Sequence, residues 1–117
     1  LNGYDAGCHW AWAKHLKKFG ANPTRERVVV DRNRITAGGV TSGIDFGLEI
    51  VERRYGRDLA EQIILGIEYD PQPISGGVPE TARPETVDRA KNRIANLNKA
   101  GDFISMIDEA AYKLLKV

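Results

Sequence analysis

Ala37-Gly38-Gly39-Val40-Thr41-Ser42-Gly43-Ile44-Asp45 leads from a β-rich segment directly into a helical one. Adjacent glycines permit a tight bend, Thr41 and Ser42 are residue types that cap helices, and Asp45 stands three positions after Ser42, where the acid of a capping box belongs. The spacing predicts a helix from about Gly43 to Tyr55 with Ile44, Leu48, Val51 and Tyr55 on one face, while Phe46 and Ile50 extend the apolar surface to a second. A helix buried on two sides after a β segment and a glycine turn is expected in an α/β architecture.

Upstream of the bend, Val28-Val29-Val30 and Arg34-Ile35-Thr36 flank the polar Asp31-Arg32-Asn33, which predicts a hairpin over Arg27 to Thr36. Ala11 to Phe19 reads as a helix with Trp12, Leu16 and Phe19 on one stripe, solvated lysines at 14, 17 and 18, and Gly20 as its stop. Tyr4 to Trp12 reads as a strand, and Asn2-Gly3 before it as the C-cap of a helix that lies upstream. Because the sequence starts at Leu1 without Met, the expectation is a processed, cleaved or engineered piece that begins mid-fold.

Downstream, Gly56 stops the first long helix and Asp58 is placed to cap a second, in which Leu59, Ala60, Ile63, Ile64 and Ile67 are apolar, running to Glu68. Asp70 to Pro84 holds four prolines and Gly76-Gly77, so it is expected to be an extended surface connection. Val87, Ala90, Ile94 and Leu97, then Phe103, Ile107, Ala111 and Leu114, keep helical spacing on either side of Gly101, which predicts two amphipathic helices.

Composition narrows the function. The chain has 117 residues, 42% apolar and 28% charged, which fits one globular domain or a large part of one. A net charge of +1 is too small to be the footprint of a nucleic-acid binder. The single cysteine, Cys8, excludes an internal disulfide and a four-cysteine zinc site, and a reducing cytoplasmic setting fits that usage. No apolar run approaches the length of a membrane span, so neither membrane nor nucleic acid is an expected partner.

The inventory of elements is unbalanced. One strand and one hairpin cannot cover the apolar faces of the helices at 43–55 and 59–67. Burying a Leu or Ile is worth about 1.5–3 kcal/mol. Leaving five or six of them wet would cancel an ordinary domain stability of about 5–15 kcal/mol. A second polypeptide, or an N-terminal half absent from this chain, is therefore expected to supply the rest of the sheet.

Gly38-Gly39-Val40-Thr41-Ser42-Gly43-Ile44-Asp45-Phe46-Gly47-Leu48, followed by Glu68-Tyr69-Asp70-Pro71-Gln72-Pro73, resembles the C-terminal half of the PfpI/ThiJ family, with its isonitrile hydratase (cyclohexyl-isocyanide hydratase) branch closest. Cys8-His9-Trp10 stands where that branch commonly has Thr-His-Trp, and the likeness extends from Leu1 to about Ala82. It implies residues 1–82 as the C-terminal portion of a doubly wound, class I glutamine amidotransferase-like α/β domain, with residues 83–117 as a helical extension. The implied nucleophile is a cysteine on a strand-to-helix elbow before Leu1. In this branch its thiolate attacks the terminal isonitrile carbon, an acidic residue manages the proton, and water releases an N-substituted formamide. Both groups would lie on the missing half, leaving this chain inactive alone. The implied complete enzyme is a cytoplasmic hydro-lyase and homodimer that takes a small hydrophobic isonitrile and needs no cofactor or metal.

His9 matches a histidine that lies near the nucleophile in the family, where it would tune the thiolate; the alternative is a structural histidine. Trp10 is a candidate pocket wall, although tryptophans beside a strand, Trp12 included, are more often core. Thr41 sits at a helix start whose free N–H groups would favour a developing anion, and Gly39, Val40 and Ile44 would shape the pocket around it. Cys8 reads as a packed residue, since neighbours on a strand face opposite ways and the thiol would not pair with His9. His15 is expected on the surface, Asp45 in a capping role, and Glu49, Glu52, Arg53 and Arg54 in helix-surface pairs. Alternatives to the hydratase reading are a related glyoxalase-type or amidase chemistry, a non-catalytic interaction or dimerisation module on the same fold, and a redox role for Cys8.

Overall fold

β1 (Asp5–Ala6) and β2 (Asn22–Pro23) pair in parallel, Asp5 against Asn22 and Ala6 against Pro23, joined by a 3₁₀ helix over Ala13–Phe19. The computed structural model describes residues 1–116; Val117, the end of the expected extension, lies outside the described residues. The hairpin follows as β3 (Val28–Asp31) and β4 (Arg34–Ala37), antiparallel, with Val30 opposite Ile35 and a turn at Arg32-Asn33. Its side chains tie it to β1: the Asp5 N–H donates to Asp31 Oδ2 at 2.8 Å and the Gly7 N–H to Thr36 Oγ1 at 2.9 Å. Gly7 is required by this approach, because a Cβ there would stand 2.9 Å from Val29 Cγ2.

The strand expected over Tyr4 to Trp12 ends at Ala6. Beyond it the backbone has other partners: Gly7 bonds to a side chain, and the Trp12 N–H closes a turn on the His9 carbonyl at 2.9 Å. The helix expected over Ala11 to Phe19 is present as the tighter 3₁₀ form, ended by Gly20 in the left-handed region at φ 71°. With 3.0 rather than 3.6 residues per turn, positions i and i+3 eclipse. Trp12, His15 and Lys18 therefore share a face, and His15 is buried at 7% exposure, which corrects its expected surface position.

Among the described residues four α-helices follow: α1 (Ser42–Tyr55), α2 (Arg57–Gly66), α3 (Pro84–Gly101) and α4 (Phe103–Leu115). The break between α3 and α4 is a left-handed Asp102, one residue after the expected Gly101. Asp58 lies in the first turn of α2 without a capping hydrogen bond, so Gly56 rather than a carboxylate starts that helix. α4 packs on the 3₁₀ helix through the edge-to-face pair Trp12–Phe103, with centroids 5.0 Å apart, and the ion pair of Lys18 with Asp108.

α1 packs on α2 and on the hairpin, but the two-sided burial expected for it is not met within the described residues: Ile44, Ile50 and Tyr55 are exposed, as are Leu59, Leu65 and Ile67 of the following segment. Among the described residues the buried apolar side chains are small ones, Ala6, Ala21, Val29, Ala60 and Ala111. The accessible surface is 8840 Å², against about 6,300 Å² for a folded monomer of this mass. The radius of gyration is 16.7 Å, against about 13 Å for a compact domain. The described residues form a slab of 44 × 41 × 21 Å, open along the apolar faces of its helices. None of its helices is long and apolar enough to cross a membrane.

Candidate active site

The loop after β1, the glycine turn into α1 and the segment at 69–73 enclose a cleft of ≈ 970 Å³, at the upper end of the range for small-molecule sites. His9, Trp10, Gly39, Thr41 and Ile44 all line it. Val40 is 97% exposed and lies outside the lining.

His9 is held from both ends. The Ala11 N–H donates to Nδ1 at 3.3 Å, so the neutral ring carries its proton on Nε2. Gly39 lies beside the ring, where a Cβ would make an ordinary van der Waals contact with Cδ2 at 3.5 Å. The indole of Trp10 leans over the imidazole, centroids 5.3 Å apart at 34°.

Cys8 also lines the cleft, but its Sγ donates to the His9 backbone carbonyl at 3.5 Å rather than to the ring. Burial pushes the Cys8 thiol up from its ordinary value, which keeps it protonated at neutral pH and unsuited to nucleophilic work. The separation of thiol from imidazole was expected from strand alternation. Residues 8–10 are not in a strand, and a local bond to the backbone achieves it instead.

The glycine turn is locked by Ser42, a fully buried side chain whose Oγ donates to the Gly39 carbonyl at 2.5 Å. The N–H groups of Ser42, Gly43 and Ile44 bond to the carbonyls of Gly39, Val40 and Thr41 at 3.0, 3.1 and 3.4 Å. The donors expected to be free for an anion at this helix start are thus already occupied by a tightened first turn.

Asp45 does not form the expected capping box, as no side chain caps α1. Its carboxylate turns into the cleft wall, where the Tyr69 hydroxyl donates to Oδ1 at 2.8 Å and the Arg27 guanidinium pairs with Oδ2. Arg27 also donates to Thr41 Oγ1 at 3.3 Å, and the bond to Asp45, with a smaller contribution from Tyr69, raises its pKa above the ordinary arginine value. This clamp fastens the hairpin, α1 and the 69–73 segment together. Arg25, paired with Glu80, draws the 74–83 connection onto the rim.

Sequence reasoning missed Arg27, Tyr69 and the true partners of Asp45. The available signal was the Glu68-Tyr69-Asp70-Pro71 run and the general placement of sites on loops beyond strand ends. Among the described residues no three His, Cys, Asp or Glu side chains converge in a way that would hold a metal ion.

The chain is 43% identical to isonitrile hydratase from Pseudomonas putida over 115 residues, 97% of the chain and 50% of that protein. A crystal structure of a ThiJ/PfpI family protein from Pseudomonas syringae superposes with a TM-score of 0.77 at 40% identity, over 95% of the chain and 44% of the other. The fold of the described residues is thus similar to part of that of a ThiJ/PfpI family protein. It spans about half the length of these relatives, consistent with a C-terminal half and with a partial glutamine amidotransferase-like domain. A shorter likeness, 34% over 65 residues, is to the HTH-type transcriptional regulator GbdR of Pseudomonas aeruginosa, covering 54% of the chain and 18% of the regulator. No protein-family model matches the chain.

Proposed function

We propose that this chain forms one wall of the active site of an isonitrile hydratase-like enzyme, which adds water to an isonitrile to give an N-substituted formamide. The observation that carries the reading is the convergence of His9, Trp10, Gly39, Thr41 and Ile44 on one cleft, in a chain 43% identical to such an enzyme. Trp10 and Ile44 hold the hydrocarbon of the substrate, and Gly39 lies beside the His9 ring in the wall.

Cys8 does not fit the nucleophile's role, since burial pushes its thiol pKa up and Sγ donates to the His9 carbonyl; this reading puts the nucleophile on a cysteine of a segment outside this sequence. Its S–H adds across the terminal isonitrile carbon to give a thioimidate. Water then adds to that carbon, the C–S bond breaks, and the thiol is restored as the formamide forms. His9 donates from Nε2 toward the incoming sulfur and favours its thiolate. The same reading makes residues 1–82 the domain portion and 83–117 an extension. It covers the exposed faces of α1 and α2 with the other half of the domain, and it places the complete enzyme in the cytoplasm as a homodimer without cofactor.

The test supplies the chain with the half of the Pseudomonas putida relative that it does not match, and follows isonitrile loss and formamide formation. The expected outcome is turnover only in the reconstituted protein, reduced at least about 100-fold by His9→Ala. Hydration by the 117-residue chain alone, or a reconstituted protein that consumes methylglyoxal and leaves isonitrile untouched, would refute the proposal.

A further inference from the structure

A second cavity, ≈ 440 Å³, shares Trp10 with the cleft and lies between the 3₁₀ helix and the paired α3 and α4. Its volume is within the range of sites for small organic molecules. Trp10, Trp12, Ile94 and Ile104 give it apolar walls, while Lys14, Lys91 and the half-buried Asn98 present donors. No carboxylate is among its lining residues. Arg25 also reaches it, but its charge is matched by Glu80. Lys14 and Lys91 have no carboxylate partner among the described residues, although they stand on separate elements that meet here.

Buried in the same wall, His15 has both ring nitrogens without a hydrogen-bond partner, and Lys18 and Lys14 add to the effect of burial in lowering its pKa. Lys18 is paired with Asp108, whereas Lys14 is not paired among the described residues, so an orphaned buried imidazole beside an unmatched cation marks a place where the chain's own polar groups are incompletely satisfied. One anionic group would pair with Lys14 and Lys91, and the indole walls would take an apolar body attached to it.

The geometry points to a binding site for a small organic monocarboxylate with an apolar body, its carboxylate between Lys14 and Lys91 and its hydrocarbon against Trp10 and Trp12. This site is separate from the isonitrile reading and stands without it. Because Trp10 and Arg25 line both cavities, an occupant touches the wall of the cleft.

Trp10 and Trp12 are the chain's two tryptophans, so indole fluorescence reads the cavity directly. The full chain is titrated with cyclohexanecarboxylate, with the uncharged cyclohexanecarboxamide and with inorganic phosphate. The expected result is saturable quenching by the carboxylate alone, weakened by salt as an ion contact is, at least about 3-fold weaker in Lys91→Ala and in Lys14→Ala, and about 10-fold weaker in the double variant. Both lysines are exposed and outside the larger cleft, so a loss in these variants assigns the ligand to the second cavity. Equal binding of the carboxamide, equal binding of phosphate, no saturable quenching, or quenching unaffected by both lysine changes would each overturn the assignment.

Discussion

Replacing Asp45 with alanine removes a carboxylate that joins three segments, and the structure sets how the loss is distributed. Tyr69 donates to Oδ1 in a part-buried setting, a bond to a charged acceptor worth about 1.5 kcal/mol. The pair with Arg27 is more open, with side-chain exposures of 54% and 26%, and solvent screening reduces it to about 0.5 kcal/mol. Loss of a negative charge from the first turn of α1 adds about 0.5 kcal/mol. Asp45→Ala should therefore destabilise by about 2.5 kcal/mol in total and Tyr69→Phe by about 1.5 kcal/mol. In the double variant the hydroxyl bond is already gone, so the two losses should fall short of additivity by about 1.5 kcal/mol. Urea unfolding followed by circular dichroism, with slopes compared among variants, measures all four corners of the cycle. Were Asp45 a capping-box acid, its loss would be blind to Tyr69. Additivity within about 0.4 kcal/mol would refute the clamp.

Gly7→Ala should cost about 1–3 kcal/mol by forcing the hairpin off β1, where Val29 Cγ2 stands 2.9 Å from the new Cβ; a thermal melt indistinguishable from the parent would contradict that packing. Burial, then Lys18 and Lys14, lower the pKa of His15 against an opposing contribution from Asp108. Its contribution to stability is therefore complete above the unfolded value of about 6.5 and is lost as pH falls through the lower folded value. His15→Gln should flatten that acid limb of the stability profile, and a profile unchanged by the substitution would count against the burial. Cys8, with its thiol pushed up by burial, should alkylate more slowly at pH 7 than a free cysteine. A faster rate, read by intact mass, would restore it as a nucleophile candidate.

Local pattern was enough for the elements whose partners are near in sequence. The 3.6-residue spacing of Ile44, Leu48 and Val51, and of Phe103, Ile107 and Ala111, marked α1 and α4 to within a residue or two, and Val28-Val29-Val30 with Ile35-Thr36 marked the hairpin. The glycine turn, the Cys8-His9-Trp10 segment and the family resemblance were also legible, because each is a contiguous run. What depended on distant residues was hidden. Asp45 has the spacing of a capping acid, and only the arrival of Arg27 and Tyr69, 18 and 24 residues away, pulls its carboxylate into the cleft wall. His15 sits among lysines in a sequence that reads as a solvated face. Whether Ala13–Phe19 winds with three residues per turn or 3.6 decides which side chains share a face, and the spacing of its apolar residues did not distinguish the two. Sequence alone thus determined the long helices, the hairpin and which apolar faces seek cover, while the strand expected over Tyr4 to Trp12 stops at Ala6; tertiary structure decided that end and where the polar side chains go, because each hydrogen bond is chosen against water and a long-range partner wins only once the chain has brought it within 3 Å.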